Sequence, residues 1–454
     1  MKKLSVFGLG KVGLTMAACL AHSGHQVIGV EVDPGRAAAL NRRTLASAEP
    51  GVAARIAGVP AERLRATTDV AEAVRESDVS FLIVPTPSNT LGGFSNRFVL
   101  EACEQIGAAI RLKDGEHTVS VVSTMLPGSS NASIIPALER SSGRRIGAGL
   151  GYCYNPSFIA LGEVVQGFER PAYVLLGEAD RRSGDAVLAA YYPMMSESVP
   201  VARMTPVEAE IAKIASNTHE TMRVAFANVI FSICSDIPGA NVDRVTEALT
   251  HRLGRQFFRG AVPYGGPCWP RDNRALAAFM NAVGIPDQMP RMVDRCNEEH
   301  GRFVLSRVLE AAAPGSRVGL IGLAYKPGTP VIERSFAIDL AGWLVAEGRT
   351  VTVWDPLAMD ETRTVLADRV RYAGSAEACL AGSDVVVLVN ALREYPAIDW
   401  TAAGAATVID CWRALPEPAR RQVGRYQPLG QAADGDVAEW LGRKAGRQFD
   451  LLTN

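Results

Sequence analysis

Apolar residues in the first part of the chain come in short runs, each closed by glycine, proline or hydroxyl residues. Lys3-Leu4-Ser5-Val6-Phe7 is a β-rich run that leads directly into Gly8-Leu9-Gly10-Lys11-Val12-Gly13. A helix-like stretch, Leu14 to Ala21, follows, and Gln26 to Asp33 reads as a second strand. Two more runs, Val79 to Val84 and Val119 to Val122, end in Pro85-Thr86-Pro87-Ser88 and in Ser123-Thr124-Met125-Leu126-Pro127-Gly128. At Pro206 the texture changes. From Val207 to about Ser235 there is neither glycine nor proline, and the apolar period is helical, which predicts one long helix.

Beyond Pro314 the opening pattern returns. Arg317 to Ile321 reads as a strand, Phe336 to Ala346 as a helix and Thr350 to Pro356 as the next strand with its closing turn. Asp355-Pro356 echoes Asp33-Pro34, and Ser383-Asp384-Val385 echoes Ser77-Asp78-Val79. Strand–helix–strand order met twice predicts an α/β protein of two Rossmann-like doubly wound domains, joined by a central helical domain with the long helix. The expected limits are 1–203, 204–300 and 301–454.

Composition narrows the partners. The 454 residues carry a formal net charge of -1 with acids and bases interleaved, so no basic field recruits nucleic acid. Eight scattered cysteines without paired spacing suggest reduced thiols in a cytoplasmic protein, and no CxxC or His/Cys cluster suggests a metal. Glycines interrupt the apolar N-terminus, and no run approaches the roughly 18 apolar residues that span a bilayer.

The glycine pattern sits between a strand and a helix, which gives it a mechanism. Gly8 permits the turn, Gly10 lets backbone approach a pyrophosphate, and Gly13 lets helix pack on strand. The helix N-terminus then faces phosphate charge. Glu31, about 20 residues on, is placed to bond a ribose 2′-hydroxyl, so NAD is favoured over NADP; Arg36, Arg42 and Arg43 temper that preference. The hydroxyl-rich loops at Pro85, Thr86, Ser123 and Thr124 lie at strand carboxyl ends, where open sheets place ligands.

A second constellation is Gly265-Gly266-Pro267-Cys268-Trp269-Pro270-Arg271-Asp272. A thiol acts as nucleophile only as thiolate, so it needs positive charge or a helix N-terminus and open backbone. The glycines give access, Arg271 gives charge, and Asp272 is placed to open a helix through Ala278. Lys213 and Asn217, four apart, share a face of the long helix. The second strand–helix unit lacks the third glycine but carries Lys326, pointing to a different phosphorylated ligand.

With these stretches, and with Tyr154-Asn155-Pro156, Arg252-Leu253-Gly254 and Gly322 to Thr329, the chain resembles the UDP-glucose/GDP-mannose dehydrogenase family along nearly its whole length. The resemblance implies NAD-dependent oxidation of a nucleotide-sugar primary alcohol to the carboxylate, a UDP-sugar being favoured. It implies that Cys268 holds the intermediate aldehyde as a thiohemiacetal and then a thioester. Lys213 and Asn217 would stabilise charge, and Thr124 and Asp272 would position water or move a proton. Arg271 would stand near the cofactor with Lys11, Val12 and the glycines. Asn155, Phe158, Arg252, Phe257, Arg259, Tyr264, Gly265 and Lys326 would face the substrate, and the long helix would form a homodimer interface.

The chain departs from the family pattern where Asn-Pro-Glu-Phe-Leu and a second glutamate are usual. Ser157 and Leu161 stand at the two carboxylate positions, Glu163 lies out of register, and Arg271 replaces a lysine. Three readings stay open on the sequence. One is complete oxidation. The second is a dehydrogenase of an unusual nucleotide sugar, or one with impaired thioester hydrolysis. The third is a sugar-nucleotide-binding protein that has lost its chemistry.

Overall fold

The structure, a computed structural model, describes residues 1–89, 92–254, 259–432 and Arg443. Two compact units divide the chain. One comprises Met1–Ser216 with Arg274–Pro286, and the other Asn217–Asn273 with the described residues from Asp287 on.

The first unit is built on strands β1 (Lys3–Phe7), β2 (Gln26–Val30), β3 (Leu64–Thr67), β4 (Val79–Leu82), β5 (His117–Val121), β6 (Arg145–Ile146), β7 (Gly149–Tyr154), β8 (Val174–Glu178) and β9 (Val201–Met204). Their order is β3-β2-β1-β4-β5-β7-β8-β9, with β6 beside β7; pairing is parallel except between β7 and β8. All four residues of β4 are buried, as a strand covered on both faces requires. Leu14, Met16 and Leu20 of the helix Lys11–His22 pack on one face; Val99, Cys103 and Ile106 of Arg97–Arg111 pack on the other. Chain order reverses at β1, between β2 and β4, which opens a crevice at the carboxyl ends of β1 and β4.

The second unit repeats the plan. Strands β10 (Arg317–Ile321), β11 (Thr350–Trp354), β12 (Arg371–Tyr372), β13 (Val385–Leu388), β14 (Thr407–Asp410) and β15 (Arg425–Pro428) form one all-parallel sheet, in the order β12-β11-β10-β13-β14-β15. The long helix is Pro206–Asp236, 31 residues, or about 46 Å at 1.5 Å per residue. A reciprocal cap sets its start. Glu208 Oε2 accepts Thr205 N at 2.8 Å, Thr205 Oγ1 accepts Glu208 N at 3.4 Å, and Pro206 takes the first helical position.

Each unit buries a histidine. His117 Nδ1 lies 3.0 Å from both Lys113 Nζ and Ser77 O, while its Nε2 meets Ser80 Oγ at 2.8 Å. Burial, and then the Lys113 charge, push its pKa down to about 3. His300 Nε2 meets Ala261 O at 2.8 Å, and burial lowers its pKa to about 4. In the unfolded chain both imidazoles titrate near 6.5. Their stabilising contribution is therefore full above pH 6.5 and shrinks as pH falls toward the folded values, by about 1.4 kcal/mol per pH unit for each. The melting temperature is expected to drop more between pH 7 and pH 5 in the native protein than in His117→Gln. Equal drops would show that His117 plays no part in acid lability.

Candidate functional site

Candidate residues fall in both units. In the first, the glycine turn follows β1 directly. Gly8 has φ +88°, and a Cβ there would lie 2.4 Å from the Ile83 carbonyl oxygen; a Cβ on Gly13 would lie 1.9 Å from that of Gly8. The chain itself excludes side chains at both positions. At Gly10 no protein atom lies within 4 Å of the Cβ position, so there the glycine leaves an open ledge at the start of the helix Lys11–His22. A pyrophosphate fits such a ledge, met by helix N–H groups at Lys11 and Val12.

Strand β2 ends at Val30, so Glu31 stands just beyond it, buried. Its Oε1 accepts Asp33 N at 3.3 Å, and its Oε2 accepts Arg36 Nε at 3.3 Å. Arg36 also bonds Leu9 O at 2.8 Å, while Arg43 is committed to Leu64 O at 2.9 Å. These two arginines are thus engaged with the protein.

The loops after β4 and β5 are laced together. Ser123 Oγ donates to Val84 O at 2.7 Å and accepts Val84 N at 3.0 Å, on either side of which lie Ile83 and Pro85. Thr86 Oγ1 donates to Thr124 O at 2.8 Å. The same loop is anchored to the long helix by Glu210, a buried residue absent from the sequence candidates. Its carboxylate accepts Gly128 N at 2.6 Å, Ser130 N at 2.8 Å and Ser130 Oγ at 2.6 Å. Burial raises its pKa, and the hydrogen bonds from Ser130 oppose that shift. The sequence signal was an acid three residues before Lys213.

Lys213 is buried, its Nζ 4.6 Å above the centre of the Phe158 ring, and that ring lies 4.9 Å from Tyr173. Asn155, just past β7, donates to Leu175 O at 2.9 Å; its Oδ1 is a buried acceptor without a hydrogen-bond partner among the described residues. Ser157 is half-buried. Leu161 packs with Ile159 on the apolar core, and Glu163 is exposed at the start of the helix Val164–Glu169.

The cysteine helix, Trp269–Ala282, opens in the second unit, three residues before Asp272. Pro270 is tolerated in a first turn, whose N–H groups have no intrahelical partner. Cys268 O accepts Asp272 N at 2.8 Å, which sets the exposed Cys268 thiol at the helix N-terminus, where the dipole favours an anion. Asp272 is therefore not the helix opener but a buried residue one turn along. Its Oδ2 accepts Asn217 Nδ2 at 2.6 Å, and its Oδ1 accepts Arg271 Nε at 3.3 Å. Arg271 thus faces this carboxylate.

Tyr264, expected as a substrate contact, has a structural task in this unit. It is buried, and its hydroxyl donates to Asp294 Oδ1 at 2.6 Å and accepts Asn273 Nδ2 at 3.1 Å. Its backbone N–H and carbonyl are both held by Asn297. The ring therefore fastens the cysteine loop to the helix Gln288–Ala311. Arg252 is exposed in the last turn of the helix Val242–Leu253, and Arg259 is exposed with Nη2 2.7 Å from Trp412 O. Gly265 is buried and Lys326 half-buried; Phe257 lies outside the described residues. Among the described residues no cluster of His, Cys, Asp or Glu is placed to hold a metal, and no helix is long and apolar enough to cross a membrane.

Comparison with known proteins covers the same ground. The NAD binding domain of the UDP-glucose/GDP-mannose dehydrogenase family matches residues 2–195, the family's central domain 207–299, and its UDP binding domain 319–417. The chain is 33% identical to the UDP-glucose 6-dehydrogenase AglM of Haloferax volcanii over 94% of this chain and 100% of that protein. It is 30% identical to the GDP-mannose 6-dehydrogenase of Pseudomonas putida over 90% and 95%. The solved UDP-glucose dehydrogenase of Pyrobaculum islandicum superposes with a TM-score of 0.86 at 30% identity, covering 95% of this chain and 98% of that one.

Proposed function

The chain belongs to the UDP-glucose/GDP-mannose dehydrogenase family and is an NAD-dependent nucleotide-sugar dehydrogenase; from that premise we propose that it oxidises the C6 alcohol of a UDP-sugar to the uronate in two steps at Cys268. The observation that carries the proposal is the exposed Cys268 thiol at a helix N-terminus, one turn before a buried carboxylate held by an amide and a guanidinium.

When bound, NAD accepts one hydride in each oxidation. Gly8 to Gly13, Glu31, Thr86 and Ser123 are the residues that would hold it. Loss of hydride and the hydroxyl proton turns the alcohol into an aldehyde, whose carbon the Cys268 thiolate attacks. The resulting oxyanion takes a proton to give a thiohemiacetal. Loss of the second hydride and that proton leaves a thioester, which water cleaves to carboxylate and thiolate. We assign oxyanion stabilisation to Lys213 and Asn217, and water and proton handling to Thr124 and Asp272. The covalent bond keeps the aldehyde from escaping between the two oxidations.

The UDP binding domain match and two relatives named for UDP-glucose support a UDP-sugar, and the GDP-mannose 6-dehydrogenase of Pseudomonas putida, 30% identical, makes a GDP-sugar the competing substrate. We place domain limits at 1–203, 204–300 and 301–454. Met222, Phe226, Val229 and Ile233 expose apolar surface at helical spacing on the long helix, which supports a homodimer through that helix; a monomer mass in light scattering would exclude it. Eight cysteines without a disulfide support a cytoplasmic setting.

The test is incubation with a panel of UDP- and GDP-sugars plus NAD, with mass spectrometry of the product and NADH counted per sugar. Two NADH per uronate are expected. One NADH with free aldehyde would overturn the covalent second oxidation, and faster turnover of a GDP-sugar would overturn the nucleobase assignment.

A further inference from the structure

The two glycines that lead into Cys268 are walled on both sides by one segment, residues 323–335. A Cβ on Gly265 would lie 2.1 Å from the Arg334 carbonyl oxygen, and one on Gly266 would lie 2.6 Å from both Cδ2 and Cε2 of Tyr325. Gly266 N donates to Glu333 O at 3.1 Å. The wall is closed on itself. Tyr325 N donates to Val331 O at 2.9 Å, and Ser335 Oγ donates to Leu323 O at 2.7 Å. Arg334 holds φ +52°, a left-handed backbone that a non-glycine residue keeps only when its surroundings over-determine it.

Between Gly266 and Cys268 stands only Pro267, whose ring fixes φ, and the helix begins at Trp269. A shift of Gly266 is therefore passed to the thiol rather than absorbed. We infer that the Tyr325 ring is a positioning residue for Cys268, setting where the sulfur stands. Because Lys326, Pro327 and Gly328 follow Tyr325 in the same closed segment, it also ties thiol placement to the loop assigned to the nucleotide. The tie to the nucleotide rests on the function proposed above; the positioning of the thiol does not.

The experiment is made from the tyrosine side, since Gly266 has φ +87° and a substitution there would add backbone strain to the steric change. Tyr325→Ala and Tyr325→Phe are compared with the native protein in three readouts: kcat and KM for NADH formation, UDP affinity by equilibrium dialysis, and the rate at which iodoacetamide alkylates Cys268. The last is followed on the Cys268 peptide by mass spectrometry, without nucleotide.

Tyr325→Ala is expected to lower kcat roughly tenfold to a hundredfold, the scale of a misplacement near 1 Å. KM and UDP affinity should stay within about twofold, and the alkylation rate should move by about threefold or more. Tyr325→Phe, which keeps the ring, should match the native protein in all three. Unchanged kcat and alkylation in Tyr325→Ala would overturn the inference, as would Tyr325→Phe failing as badly as Tyr325→Ala. Loss of UDP binding in the native protein would instead count against the nucleotide assignment, and the alkylation comparison would still decide the role of Tyr325.

Discussion

Cys268→Ser is expected to abolish uronate formation, lowering it by roughly a thousandfold or more, about 4 kcal/mol in the barrier. Serine keeps the size of the side chain but not its acidity. At a helix N-terminus a thiol reaches the anionic state near neutrality, whereas a hydroxyl needs a strong base to do so. The serine variant therefore adds poorly to the aldehyde, and any ester it forms is slower to cleave than a thioester. Stability should hardly change, because Cys268 is exposed and fills no core.

Five of the other seven thiols are in no position to take over. Burial holds Cys19 and Cys379 at about 12 and lifts Cys103, Cys153 and Cys411 as well, so none of the five ionises near neutrality. The check is product analysis by mass spectrometry with a hydrazine present to trap free aldehyde. Trapped aldehyde with no uronate fits a covalent second oxidation. Unchanged uronate in the serine variant would refute it.

Much of this frame could be read from pattern alone, and the reason is physical. Strands buried on both faces leave apolar runs between turn residues, so Lys3–Phe7 and Arg317–Ile321 were legible to the residue. The long helix was legible within a residue at each end because Thr205, Pro206 and Glu208 cap its start and no glycine breaks it. What stayed hidden were pairings across long sequence separations. Asn217 and Asp272 are 55 residues apart, and Glu210 reaches a loop some 80 residues earlier. Neither contact leaves a periodic trace.

The opening of the cysteine helix was less legible. Pro270 fits its first turn, so the helix starts at Trp269 and Asp272 is a buried residue rather than a helix start. Tyr264 adds a further hidden pairing: its hydroxyl bonds to Asp294 and Asn273, 30 and 9 residues away, of which the sequence bears no sign. Units were harder still. Their borders at 216/217 and 273/274 fall inside continuous helices, where composition has no reason to change.

The missing carboxylates gain a partial account. Leu161 joins Ile159 in an apolar cluster, so the residue at that position serves packing. The bend that carries it is held by Glu49, a buried acid whose Oε2 accepts Gly162 N at 2.7 Å. Glu163, the out-of-register alternative, is exposed at the start of a helix. Asp272 is the acid that stays in register, with one bond on each oxygen.

Lys213→Ala is expected to lower kcat by roughly 100-fold or more while changing KM little, the usual scale for one donor aimed at a developing oxyanion. The structure gives the ammonium a reason to matter. It is buried at the level of the Phe158 ring, where low dielectric strengthens its field on a nearby negative charge. A stability effect is separable by size. Loss of the contact with the Phe158 ring is worth about 1–2 kcal/mol in folding, whereas a 100-fold rate loss is about 2.7 kcal/mol and appears only in the transition state. Lys213→Met, whose thioether can take the ammonium's place over the ring, should recover part of the melting temperature without restoring kcat. Steady-state kinetics and thermal melts on both variants make the comparison. A defect confined to KM would place Lys213 on the bound substrate instead, and recovery of kcat in Lys213→Met would show that packing, not charge, is what the lysine supplies.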